Sequence, residues 1–144
     1  MSWTYNKGEF TSEMIKEYQG FVYLITNLNT QKRYIGKKNF IKKRTLKALK
    51  GKKRRRKVFS ESDWKEYYGS SDAVNTHLLE SGPEIFKREI LHLCMSKGEM
   101  SYVELYYQVV TGALLSDEYY NGIISCRINH RHVKNLDVKK LKKI

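Results

Sequence analysis

The chain is poor in proline, cysteine and long apolar runs. One proline and nine glycines in 144 residues exclude a collagen-like chain and argue against a disordered one. No apolar run is long enough to span a bilayer, which sets membrane partners aside. The first ten residues, MSWTYNKGEF, lack the charged-then-apolar order of a secretory signal. Cys94 and Cys126 stand far apart in no metal-ligand spacing, so two buried thiols in a reducing cytosol are expected. Acid is also scarce: 15 Asp and Glu face 28 Lys and Arg, a formal charge of +13. That balance calls for a polyanionic partner.

The base is unevenly placed. Residues 42–57, KKRTLKALKGKKRRRK, hold eleven Lys and Arg and no acid, and residues 127–144 add seven bases against Asp137. Elsewhere acids outnumber bases, so the chain is a mildly acidic body with two basic segments. Such segments bind a phosphate backbone by counterion release, strongly and with steep salt dependence. A solvated charge run or a targeting tag would share this composition. Two separate segments carrying more than the whole excess favour nucleic acid.

Hydrophobic pattern organises the rest. Residues 11–19 read as a short helix capped by Thr11 or Ser12 and stopped by Gly20. Residues 21–26 and 33–36 are β-branched and aromatic around the turn NLNT, which indicates a hairpin. Residues 40–50 fit a helix with Phe40, Leu46 and Leu49 inward, followed by an exposed basic loop. Residues 72–81 read as a helix ended by Gly82 and Pro83, and IFKREILHL as a strand. Met100, Val103, Tyr106 and Val110 follow a helical period, with Glu104 and Gln108 on its polar side. IISCRI is a candidate last strand, and KKLKKI a mobile tail. The sum is an α+β domain: a small antiparallel sheet of about three strands flanked by helices. Residues 1–19 form an expected N-terminal helical extension, 20–126 the main domain with a basic insert at 50–57, and 127–144 a basic C-terminal segment.

If residues 27–30 close the hairpin, Tyr23 falls opposite Tyr34 and the two phenols share a face. Gly36 then weakens its strand unless something approaches the backbone closely. Lys37 and Lys38 follow at once. Two phenols, a bare backbone and two cations make a phosphate site; a plain cross-strand aromatic pair is the simpler reading of the same residues.

FVY at 21–23 and YIG at 34–36, with eleven residues from Tyr23 to Tyr34, resemble the signature of the GIY-YIG nucleases, Phe21 standing for the signature glycine. Arg44 lies eight residues after Gly36, where that family carries an arginine on its first helix. Glu104 in SYVELYYQ resembles the family's metal-binding glutamate, and Asn121 in YYNG its later asparagine. YIGKKNF with SDWKEYYGSS is similar to phage-encoded free-standing homing endonucleases. The resemblance implies a divalent-metal-dependent endonuclease that hydrolyses double-stranded DNA in the cytoplasm of a bacterium or phage-infected host. It implies one Mg²⁺ or Mn²⁺ on Glu104, phosphate held by Arg44, and Tyr23 as general base with Tyr34 second. A free phenol titrates near pH 10, so Lys37 would depress its pKa or hold phosphate, with Asn121 as an orienting amide. Lys38, Lys42, Lys43, Lys52, Lys53, Arg54, Arg55, Arg56 and Lys57 are candidate DNA contacts. A non-catalytic DNA- or RNA-binding protein and a structure-specific repair nuclease are the alternative readings.

Overall fold

The computed structural model describes residues 2–144. At its centre lies β3 (Gly20–Asn27), every residue of which is buried. It pairs antiparallel with β4 (Arg33–Asn39) on one side and β7 (Phe86–Cys94) on the other. Two short strands, β1 (Thr4–Tyr5) and β2 (Gly8–Glu9), extend the sheet beyond β7, with β1 parallel to β7 at Thr4 and Glu89. The order is β2-β1-β7-β3-β4. The sheet is thus mixed and five-stranded; the antiparallel trio expected from the sequence is its middle.

Alternation along β3 explains burial on both faces. Phe21, Tyr23 and Ile25 face one cluster with Trp3, Phe10, Phe40, Trp64, Val74 and Phe86. Val22 and Leu24 face a second, with Ile35, Leu91, Met100, Val103 and Tyr107. A strand sandwiched between layers reads as a continuous apolar run. Phe21, at the position where the signature has glycine, fills this core: its ring lies 4.9 Å from Trp3 and 4.8 Å from Phe40. Helix α1 (Asp72–Ser81) contributes Val74 to the first cluster, and its start is capped by Ser71. Helix α2 (Lys97–Val110), capped by Ser96, packs Met100, Val103 and Tyr107 into the second. The inward stripe therefore includes Tyr107, whereas Val110 is exposed.

Several expectations are corrected. Residues 11–19 hold only a 3₁₀ turn at Ser12–Met14; Thr11 makes no capping bond, and Lys16 takes a positive φ of 46° that a helix cannot continue. The expected helix at 40–50 is strand β5 (Ile41–Leu46), paired antiparallel with β6 (Arg56–Glu61) in a separate two-stranded ribbon. Residues 123–128 form no strand, and Ile123 is 75% exposed. The C-terminal segment is docked, with Leu141 buried in the second cluster and the Lys142 ammonium 4.4 Å above the Tyr5 ring. Of the cysteines, Cys94 is buried and Cys126 exposed. Among the described residues no helix is long and apolar enough to cross a membrane.

Candidate active site

The hairpin register differs from the sequence estimate by two residues. Thr26 pairs with Arg33, so Tyr23 faces Gly36 and Ile25 faces Tyr34. Asn27 widens the loop: its side-chain oxygen accepts from the Asn29 and Thr30 backbone N–H groups, and its own backbone N–H donates to the Lys32 carbonyl. Because the slip is even, both phenols still share one sheet face, their ring centroids 6.2 Å apart.

Gly36 now has a physical reason. The Tyr23 ring closely approaches its backbone, and a Cβ there would meet Tyr23 Cζ at 2.5 Å and collide with the hydroxyl. Gly36→Ala is expected to cost about 2 kcal/mol through overpacking of a closed core. Chemical denaturation reads this directly, and unchanged stability would remove the close approach from the account.

Beyond β4 opens a cleft of about 430 Å³, lined by Tyr34, Ser70, Asp72, Glu104, Asn121 and Ser125, among others. Asn121 builds one wall. Its amide accepts from Ile35 N–H at 3.0 Å and donates to Ile35 C=O at 2.8 Å, a two-point bond that continues the sheet in place of a strand. Tyr120 N–H donates to Arg33 C=O, and Arg33 N–H donates to Glu118 C=O in the same zipper. The asparagine amide is therefore consumed in holding the loop.

The opposite wall is set by a residue that sequence reasoning missed. Arg88 is buried on β7 and donates from Nη1 to the carbonyls of Lys65 at 2.8 Å and Tyr67 at 2.9 Å, while stacking 4.1 Å above the Tyr68 ring. Trp3 Nε1 donates to the Trp64 carbonyl at 2.7 Å. Together they hold the loop that brings Ser70 within 3.0 Å of the Tyr34 hydroxyl. Strand period placed Arg88 inward between Phe86 and Ile90, and an inward cation needs carbonyl partners; that signal was present.

Glu104 reaches the cleft from α2. Burial pushes its carboxyl above the usual range, opposed by the Lys37 ammonium nearby. Among the described residues the carboxylate has neither hydrogen-bond nor ion-pair partner. Lys37 itself donates to Ser101 Oγ at 2.7 Å, tying β4 to α2. The phenols behave opposite to expectation. Burial raises the Tyr23 pKa well above the ordinary phenol value, reinforced by Tyr67 and Tyr34; burial also raises that of Tyr34, partly offset by its Ser70 hydrogen bond. Lys37 is not among the groups that shift either one. Tyr23 is buried at 1% exposure, and it is Tyr34 that lines the cleft.

The structure brings together Tyr23, Tyr34, Gly36, Lys37, Glu104 and Asn121. It does not bring Arg44 to them: that residue lies exposed on β5 opposite Val58, with no hydrogen bond or ion pair among the described residues. Lys38 is engaged, 2.7 Å from Asp63 and 4.0 Å above the Tyr67 ring. Lys42, Lys43, Arg56 and Lys57 stand on the ribbon, and Lys52, Lys53, Arg54 and Arg55 in its tip loop. Away from the cleft, His92 and Glu99 pair at 3.3 Å beside Cys94.

A family model described as "Putative endonuclease segE, GIY-YIG domain" matches residues 3–124. The match takes in the hairpin, the ribbon, both helices and the Asn121 loop. No curated protein and no solved structure matched the chain.

Proposed function

Because the chain belongs to the GIY-YIG endonucleases of this segE type, enzymes that hydrolyse phosphodiesters of DNA, we propose a divalent-metal-dependent reaction centred on Glu104. The supporting observation is the carboxylate itself: half-buried, unpartnered and facing the cleft. A desolvated carboxylate with no ion pair or hydrogen bond is costly, and a hard divalent ion that keeps several waters fits a site with one acid. Mg²⁺ or Mn²⁺ held there supplies Lewis-acid stabilisation of charge on a phosphoryl oxygen.

The remaining work falls to this chain's residues. Tyr34, which lines the cleft with its hydroxyl 3.0 Å from Ser70, orients the attacking water through that hydroxyl. Tyr23 packs against Gly36 and positions that strand. Lys37 places positive charge beside Glu104, where a phosphate approaches the edge of β4. Arg44 contributes by donating to phosphate oxygens, and its position on an exposed strand means that DNA must close the distance. In the free protein Arg44 is thus outside the cleft and joins it on the substrate.

The substrate reading is double-stranded DNA, and the similarity of YIGKKNF and SDWKEYYGSS to free-standing homing enzymes supports a phage-type homing role inside a bacterial cell. A non-catalytic binder has no use for a desolvated, unpaired acid beside its phosphate contacts. The test is digestion of supercoiled plasmid with Mg²⁺, followed by mapping of the cut ends. Nicked or linear product that needs the metal, and falls at least 100-fold in Arg44→Ala, is expected. Cutting that persists in chelator, or equal cutting by Arg44→Ala, contradicts the proposal. Clustered ends support the homing role, whereas cutting confined to branched DNA favours a structure-specific nuclease.

A further inference from the structure

The β5–β6 ribbon has no core of its own. Among the described residues β5 and β6 pair only with each other as a sheet, and all six residues of β6 are exposed. A lone two-stranded ribbon is marginally stable in water, and this one carries heavy like charge. On one face Lys43 lies opposite Phe59 and Thr45 opposite Lys57; on the other Lys42 lies opposite Ser60, Arg44 opposite Val58 and Leu46 opposite Arg56. Lys57 crowds Lys43 closely enough to hold its ammonium below the usual lysine range. The only acid on either strand, Glu61, is turned to the base, where it accepts from Ser12 Oγ and Trp64 Nε1.

Solvation alone explains the lysines but not the apolar groups among them. Phe59 is 64% exposed and Val58 42%. The face that sets Phe59 and the Thr45 methyl among Lys43 and Lys57 suits a ligand with both phosphates and apolar groups within reach. The DNA major groove offers phosphate rails and thymine methyls, and it is wide enough to admit a two-stranded β-ribbon. Six residues per strand span roughly 20 Å, enough to follow the groove across several base pairs.

The ribbon's root fixes its relation to the cleft. β4 ends at Asn39 and β5 begins at Ile41, with Phe40 between them buried at 0% exposure. Phe40 N–H donates to Gln19 C=O, Ser62 N–H donates to Phe40 C=O at 2.7 Å, and Ser62 Oγ donates to Asn39 C=O at 2.6 Å. The strand that carries Tyr34 and Gly36 thus runs through a clamped joint into the ribbon. A ribbon seated in a groove determines which phosphodiester meets Glu104.

We propose that β5 and β6 dock in the major groove of duplex DNA and thereby select the bond delivered to the cleft. This rests on the nuclease reading above, and binding and cutting are tested separately. Binding is followed by anisotropy of a labelled DNA duplex with full-length Glu104→Gln. Methyl green, which occupies the major groove, is expected to displace the protein, and the minor-groove ligand distamycin to leave it bound. Duplex RNA of the same sequence, whose major groove is too deep and narrow for side chains, is expected to bind at least about tenfold more weakly. Removing Lys43 and Lys57 together is expected to reduce the slope of log K against log salt by about 1.8. Both side chains are exposed, and an unchanged circular-dichroism melt shows that the variant folds. Phe59→Ala in the otherwise native enzyme is expected to redistribute the cut positions on plasmid.

Displacement by distamycin alone, equal binding of the RNA duplex, or an unchanged salt slope in the folded double variant would overturn groove docking. Groove-dependent binding by a protein that cuts no DNA would overturn the nuclease reading and uphold the docking.

Discussion

Glu104→Ala is expected to abolish DNA cutting, by on the order of 10³-fold or more, while DNA binding stays within a factor of two or so. The residue lies in the cleft beside Tyr34, away from the basic ribbon, so backbone affinity has no reason to depend on it. Glu104→Gln sharpens the result because it keeps the shape and removes the charge. Burial raises the Glu104 pKa in the folded protein. A group raised in this way adds stability below its unfolded pKa and loses it as pH rises through the folded value. At neutral pH the metal-free carboxylate is therefore a cost, and Glu104→Gln should melt higher than wild type, by about 2 °C. Divalent metal should reverse the order. At a hundredfold excess over Kd, Mg²⁺ adds about 2.7 kcal/mol to a protein that binds it and nothing to one that does not. Wild type should gain thermal stability with Mg²⁺ and Glu104→Gln should not. Equal gains in both would place the ion elsewhere.

Asn121→Ala is the second large effect. The amide satisfies both backbone groups of Ile35, and Ile35 is fully buried. Truncation leaves a buried N–H and C=O unpaired, at a cost of about 3 kcal/mol. The melting temperature should fall by about 9 °C, and cutting should fail because Gly122 to Ser125 no longer wall the cleft. Hydrogen exchange at the Ile35 amide locates the loss, since that proton is protected only by Asn121 on this edge. A variant that melts within about a degree of wild type, with Ile35 still protected, would mean that the loop is held by other contacts.

How far the sequence revealed this arrangement depended on whether local pattern or tertiary packing decided each element. The hairpin was legible because apolar alternation sets strand faces, and the two-residue error in register preserved those faces. Helices α1 and α2 were legible from the stop at Gly82 and Pro83 and the apolar period around Met100 and Val103. The ribbon was not. Its lysines and leucines have good helix propensity, and nothing local outweighs that; burial of Phe40 and continuation from β4 decide the conformation. The docked tail hangs largely on Leu141, one apolar residue among lysines. At the site, Glu104 and Asn121 stood out through family resemblance. The protonated state of the phenols could not be read, because it follows from ring burial that only the packed core imposes. Arg44 shows the converse: its spacing from Gly36 matched the family, but the secondary structure under it did not.

The central claim is that Glu104 anchors a divalent ion at the edge of β4, facing Tyr34. Anomalous diffraction from crystals of the DNA complex grown with Mn²⁺ tests it most directly. A manganese peak is expected at bonding distance from the Glu104 carboxylate, about 2.2 Å, and next to a backbone phosphate. A peak at His92 and Glu99 with none at Glu104 would contradict it.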